Sequence, residues 1–138
     1  MSGQGVPDAI RAAVSLRAQQ RCEYCHVPEG AVLWPHEADH IIAEQHGGQT
    51  DWDNLAFACF HCNRHKGPNV ASVEAQTGRI VPLFNPRVHR WDEHFRAEGP
   101  LIVGLTDIGR ATVRLLRFNA PERLLIRQAL SRAGRWHG

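Results

Sequence analysis

The 138-residue chain is long enough for about one domain with a modest core, and its composition, 43% hydrophobic and 22% charged, is typical of a globular protein. No apolar run reaches the roughly 18 residues that a membrane span requires, and the N-terminal residues MSGQGVPDAI do not resemble a signal peptide. These features exclude a membrane-spanning protein, and we expect a cytoplasmic one.

The formal net charge is only +2, but it is distributed unevenly. Up to Asn63 the chain has three Arg and eight acidic residues, whereas from Arg64 onward it has thirteen basic and six acidic residues. Lys66 is the only lysine. Arg is favoured where planar, bidentate contact with phosphate matters. The division indicates a divalent-metal site beside a nucleic-acid surface, although genome composition explains the arginine content equally well.

The first half of the chain predicts four short elements. A helix is expected over residues 7–20, because Pro and Asp both suit a first helical turn. Residues 37–42 are expected to form a strand, and residues 51–58 a short helix or turn capped by an Asp. A helical turn at residues 63–66 should end at Gly67.

The second half predicts strands followed by helices. Two short strands should flank a turn at Thr77-Gly78, a third strand should follow, and Thr106 and Pro121 should begin two helices. The strands are expected at residues 71–74, 79–83 and 100–105, and the helices at residues 106–118 and 120–133. The chain is therefore predicted to be α+β and to fold as a single domain over residues 1–138.

The four cysteines, Cys22, Cys25, Cys59 and Cys62, form two C-x-x-C pairs. A disulfide framework is not expected in a cytoplasmic chain, and a single pair would suit redox chemistry, but two pairs together are typical of a tetrahedral Zn²⁺ site. Two intervening residues allow both thiolates of a tight turn to reach one ion at about 2.3 Å. Four thiolates leave no open coordination position, so this zinc is expected to be structural.

Between and after the cysteine pairs lie several polar residues in a fixed order: Asp39-His40, Gly47-Gly48, Asn54-Leu55, Asn63 and Lys66-Gly67. The pattern C-x2-C…DHI…GG…DNL…C-x2-C-N-x2-K-G resembles the HNH, or ββα-metal, endonuclease family. The resemblance covers about residues 21–67 and implies a small ββα-metal nuclease core held by the structural zinc. Flanking helices and a C-terminal strand and helix extension over about residues 70–138 would complete the α+β fold.

The resemblance also implies roles for individual residues. His40 would be the general base, Asn54 would orient the base and its loop, and Asp39 would be the acidic ligand of a catalytic divalent metal. Asn63 stands where the family commonly has its last His, as in an HNN variant, and would be the second ligand of that metal. His65, two residues further on, is the alternative ligand.

The chemistry of these residue types agrees with phosphodiester hydrolysis. A neutral imidazole with a pKa near 6.5 can accept a proton from water. Mg²⁺ or Mn²⁺ prefers oxygen ligands and retains several waters, so a carboxylate, an amide oxygen and the substrate phosphate would suffice. Neighbouring residues of a strand point to opposite faces. Asp39 and His40 are therefore expected to share a site only if the chain bends or twists strongly between them.

Several basic residues are candidates for contact with nucleic acid. Arg64 and Lys66 flank the predicted metal ligand, and His61, inside the second cysteine pair, would contact phosphate or donate to a thiolate. Five arginines have helical spacing near the C-terminus: Arg110, Arg114, Arg117, Arg123 and Arg127. They would form a row of contacts to the DNA backbone, which we call the arginine rail. The alternative is that they form an ordinary solvated face over a hydrophobic core.

The leading hypothesis is a metal-dependent endonuclease acting on DNA, with branched or RNA-containing DNA among its candidate substrates. Two alternatives remain: a non-catalytic, zinc-ribbon-like module that binds nucleic acid, and a toxin-type nuclease that requires an immunity partner. Asp39, His40 and Asn54 favour an enzyme, because a module that only binds has no need of all three. The oligomeric state does not follow from the sequence.

Overall fold

The structure is a computed structural model that describes residues 6–136. Its fold is α+β, as predicted, with five α-helices, two short 3₁₀ turns and three two-stranded antiparallel sheets within the described residues. No helix among these residues is long and apolar enough to span a membrane. The elements in chain order are α1 (Asp8–Arg17), β1 (Glu37–His40), β2 (Leu55–Ala58), α2 (Phe60–Lys66), β3 (Ala71–Val73), β4 (Ile80–Pro82), α3 (Trp91–His94), β5 (Phe95–Glu98), β6 (Leu101–Gly104), α4 (Asp107–Leu115) and α5 (Pro121–Arg132).

The β1–β2 hairpin separates two small hydrophobic clusters. Residues on one face, including Leu55 and Phe57, pack against Val14 of α1, and all three side chains are fully buried. On the opposite face, Ala56 and Ala58 belong to the larger cluster that contains the cysteines. The hairpin is therefore buried on both faces, which explains why β2 is apolar throughout rather than alternating.

The segment before β2 is only partly as predicted. Asp51 accepts a hydrogen bond from Asp53 N at 3.0 Å and caps a single 3₁₀ turn over Trp52–Asn54. The rest of the predicted helix or turn is strand β2, so this part of the prediction is wrong. A short apolar run without alternation does not distinguish a buried strand from a helix.

Helix α2 is longer than the predicted turn because it begins at the second cysteine pair. The Sγ atom of Cys59 accepts from Cys62 N and caps the helix. The helix ends where expected, at Gly67, whose φ of 50° lies in the left-handed region. Asn63 and Lys66 are thus one turn apart on a helix whose first turn holds two cysteines.

The C-terminal extension contains the predicted β3–β4 hairpin and the two predicted helices. Thr106 caps α4 by accepting from Gly109 N at 3.0 Å, and Pro121 occupies the first turn of α5. Strand β5 was not predicted. Helix α4 ends at Leu115 rather than Phe118, because Arg117 has a φ of 53°, outside helical geometry.

The extension and the cysteine-bearing segment share one hydrophobic core. Phe95, Phe118 and Leu130 of the extension lie in the same buried cluster as Tyr24 and the four cysteines. The side chain of Trp91 also donates from Nε1 to Tyr24 O at 2.7 Å. The extension therefore packs directly against the segment that carries the motif.

Candidate metal centre and active site

The four cysteines are buried and converge on one point. Their Sγ atoms lie within 4.8 Å of one another, and those of Cys25 and Cys59 are 3.7 Å apart. A tetrahedral ion with four bonds of 2.3 Å requires S–S separations of about 3.8 Å. All four cysteines are free of disulfides. The cluster therefore fits Zn²⁺, as the cysteine spacing predicts.

Backbone amides hold both cysteine pairs in tight turns. Tyr24 N and Cys25 N each lie 3.4 Å from Cys22 Sγ, and Cys62 N lies 3.4 Å from Cys59 Sγ. These N–H groups donate to the first sulfur of each pair and so stabilise thiolate charge. The turns orient both sulfurs of each pair toward the same centre, which the two-residue spacing requires.

Arg123 lies beside the cysteine cluster and is 2% exposed. Its Nη2 donates to Cys62 Sγ at 2.9 Å, and Nη1 donates to Leu116 O at 2.6 Å. Burial alone would lower the pKa of Arg123, but the thiolates of Cys62, Cys25 and Cys59 raise it above its usual value. Arg123 therefore compensates the negative charge of the cluster and does not belong to an exposed rail.

Asp39 and His40 occupy the end of strand β1, and both are buried. The pairing register is continuous through them, with Asp39 opposite Ala56 and His40 opposite Leu55. Asp39 therefore faces the cysteine cluster and His40 faces the α1 side of the hairpin. The continuous register leaves no bulge between them, so their side chains lie on opposite faces of the hairpin, and the bend that a shared site was expected to require is not seen in the pairing.

Lys66 does not have the exposed position expected for a phosphate contact. It is 2% exposed, and Nζ donates to Ile41 O at 2.9 Å and lies 4.0 Å from Asp39 Oδ2. Burial lowers the pKa of Lys66, and Asp39 opposes that change. The ammonium group lies inside the fold, where it holds α2 against the end of β1. The prediction that Lys66 contacts phosphate is therefore wrong for this geometry.

The loop after β1 is closed by Asn54 and covers His40. Asn54 Oδ1 accepts from Ile42 N, and Nδ2 donates to Ile42 O and Gln49 O, all at 2.9 Å. At Gly48 a Cβ would lie 1.7 Å from Ile42 O, so only glycine fits this close approach. The loop brings Thr50 Oγ1 to 2.7 Å from His40 Nε2.

Asn63 and His65 lie on different sides of α2. Residues three apart on a helix are separated by about 60° around its axis, so Asn63 shares the side of Lys66 that faces β1. His65 is about 200° away from Asn63. The pKa of His65 is lowered by burial first and then by Arg117 and Arg123, which identifies the extension as its surroundings.

The arginines expected to form a rail have different environments. Arg110 Nε lies 3.2 Å from Oε2 of Glu74, whose pKa falls to about 2, chiefly through the backbone amide of Gln76 and then through Arg110. Arg127 is fully buried and, like Arg123, is wrong as a rail residue. Arg64, Arg114 and Arg117 are exposed and remain candidates.

His61 is half-buried at the start of α2. Its pKa is lowered by burial first and then by Arg123, so it lies near the cysteine cluster. Its ring packs edge to face against Phe60. Its contact with phosphate or thiolate remains a prediction.

The hairpin β1–β2 and the helix α2 form a ββα unit joined by the cysteine cluster, as the resemblance predicts. The HNH endonuclease family model matches residues 22–69, which confirms the resemblance to that family over this segment. The match begins at the first cysteine and includes all of α2. No curated protein and no solved structure matched the chain.

Three contacts at the site were not predicted from the sequence. They are the contact of Thr50 with His40, the inward position of Lys66 and the contact of Arg123 with Cys62, and all three depend on the tertiary fold. The DHI motif contains His40 and the C-N-x2-K-G motif contains Lys66, so these motifs indicate where the first two contacts lie. No sequence pattern distinguishes Arg123 from the exposed arginines around it.

Proposed function

We propose that this protein is a metal-dependent endonuclease that hydrolyses phosphodiester bonds of DNA, as a single domain over residues 1–138. The observation that carries the proposal is the buried Asp39–His40 pair at the end of β1, within a segment that matches the HNH family. A structural Zn²⁺ held by the four cysteines would fix α2 against the hairpin. The shared core and the Arg123 contact support treating the extension as part of the same domain.

Asp39 and Asn63 are the proposed protein ligands of the catalytic ion. A carboxylate and an amide supply oxygen atoms, which fit Mg²⁺ or Mn²⁺ better than softer metals. When bound, this ion would neutralise charge on the phosphoryl group and assist the leaving oxygen. Lys66, 4.0 Å from Asp39, would hold the carboxylate ionised and correctly oriented in its buried position.

His40 is the proposed general base. If Nε2–H donates to Thr50 Oγ1 at the observed 2.7 Å, the unprotonated Nδ1 accepts the proton of the attacking water. Asn54 acts on His40 indirectly, because its three hydrogen bonds fix the loop that carries Thr50. Both Thr50 and Asn54 are therefore positioning residues.

The test is a cleavage assay with purified protein on plasmid, linear duplex, single-stranded and branched DNA. Each substrate is incubated with Mg²⁺, with Mn²⁺ or with EDTA. We expect cleavage with either metal and none with EDTA. DNA binding without cleavage under every metal condition would favour a non-catalytic zinc-ribbon-like module instead.

A further inference from the structure

A partly exposed stack of side chains lies at the start of α2. The rings of Trp34 and Phe60 are stacked, with centroids 4.4 Å apart and planes 24° from parallel. The guanidinium carbon of Arg64 lies 5.9 Å from the centre of the Phe60 ring. Trp34 is 49% exposed, so it retains open ring surface. We call these three residues the Trp34 platform.

The platform adjoins the proposed catalytic site through α2. Phe60 and Asn63 are three residues apart, and Phe60 and Arg64 four apart, spacings that place helical side chains next to each other. One helical turn advances only about 5.4 Å along the axis. A nucleotide adjoining a phosphate at Asp39 and Asn63 would therefore be within reach of the platform.

The charge around the platform indicates what would bind there. Arg64 is exposed, and its guanidinium carbon lies 5.9 Å from the centre of the Phe60 ring, so the platform has a cationic group at its edge. An aromatic surface bordered by cations suits a base attached to its phosphate. An apolar peptide would gain nothing from Arg64.

We propose that the Trp34 platform stacks on an unpaired base beside the scissile phosphate, so that the protein prefers DNA containing an unstacked nucleotide to a fully paired duplex. This inference rests on the proposed function. Bases inside a duplex have both faces covered by their neighbours, whereas an unpaired base can stack on an aromatic side chain. The platform thus selects DNA with forks, gaps or bulges.

The test compares binding of a paired duplex and a forked DNA of equal length, with Ca²⁺ in place of Mg²⁺. The fork carries 2-aminopurine in its unpaired arm, whose fluorescence falls when the base stacks. Three variants are measured beside the wild type: Trp34→Phe keeps a ring, Trp34→Leu removes it, and Trp52→Leu is the matched control. Trp52 is 48% exposed and contacts Arg17 instead.

We expect the wild type to bind the fork more tightly and to quench the probe. Trp34→Leu should lose both effects, with a loss of roughly 5- to 150-fold in fork affinity, while Trp34→Phe and Trp52→Leu should retain them. Equal binding of fork and duplex by the wild type, or a preference that survives in Trp34→Leu, would overturn the inference. If metal-dependent cleavage persists in that case, only the inference fails, whereas absence of all DNA binding and cleavage would also overturn the proposed function.

Discussion

Arg123 Nη2 donates to Cys62 Sγ at 2.9 Å, and this contact joins α5 to the cysteine cluster at the start of α2. The two residues are 61 positions apart in the chain. Four thiolates around one Zn²⁺ carry a net charge of about −2, and a buried guanidinium offsets part of it. The extension is thereby coupled to the proposed zinc site.

We expect Arg123→Gln to weaken zinc binding by roughly 10- to 100-fold, the usual effect of removing a group that hydrogen-bonds to a metal ligand. Zinc transfer to a competing chelator measures this directly. Arg123→Lys should restore only part of the affinity, because an ammonium lacks the planar fork with which the guanidinium donates to Cys62 and Leu116 O from two separate nitrogens. Arg132→Gln, an exposed change on the same helix, is the control. Equal zinc affinity in the two Gln variants would contradict the coupling.

Thr50 offers a test of how His40 is oriented. We expect Thr50→Val to lower the cleavage rate about tenfold or more, because it removes the hydroxyl 2.7 Å from His40 Nε2 with little change in shape. Thr50→Ser should restore the rate. The pH profile of cleavage should also shift in the Val variant, which a purely structural role would not produce. A Val variant with wild-type rate and pH profile would exclude this role.

The second ligand of the catalytic metal is tested by comparing Asn63 with His65. Asn63→Ala should strongly reduce cleavage in Mg²⁺, with partial recovery at high Mn²⁺, because a proposed oxygen ligand is lost. His65→Ala should retain most activity, because His65 lies on the other side of α2. A metal titration of both variants decides between them. Loss of activity in His65→Ala with normal cleavage by Asn63→Ala would reverse the assignment.

The cysteine site was predictable because its signal is local, but the elements around it were predictable only in part. Spacing alone predicted a cluster of Cys22, Cys25, Cys59 and Cys62. The hairpin and α2 followed from the family resemblance, whereas local patterns predicted a helix or turn at β2 and a single turn at α2. Thr106 and Pro121 likewise began helices where capping chemistry predicts them. Such signals depend on neighbours within a few residues.

The positions of the long cationic side chains were not predictable in the same way. Lys66 and Arg123 are buried because carbonyl oxygens and thiolates from distant parts of the chain surround them. Helical spacing alone placed Arg110, Arg114 and Arg117 on one face, but α4 ends before Arg117 and Glu74 binds Arg110. Burial and pairing of a charge depend on tertiary contacts that no local pattern records.

Arg114 and Arg117, the exposed arginines near the end of α4, lead to a prediction about how DNA affinity depends on salt concentration. The double variant Arg114→Gln and Arg117→Gln should weaken DNA binding and reduce the slope of log affinity against log salt by about two, near 0.9 for each lost phosphate contact. Arg110→Gln is the control, because Arg110 is already paired with Glu74. Binding measured over a range of NaCl gives both slopes. An unchanged slope in the double variant would show that Arg114 and Arg117 do not contact DNA and belong to an ordinary solvated surface.

The most direct test of the account is the cleavage rate of His40→Ala and His40→Gln in Mg²⁺, beside zinc content and DNA binding in Ca²⁺. A general base contributes roughly 10²- to 10⁴-fold, so we predict a loss of that size in both variants with zinc content and DNA affinity near wild type. The Gln variant keeps a polar side chain in the buried position and controls for packing. Cleavage within about threefold of wild type in either variant would contradict the role of His40 and with it the proposed mechanism.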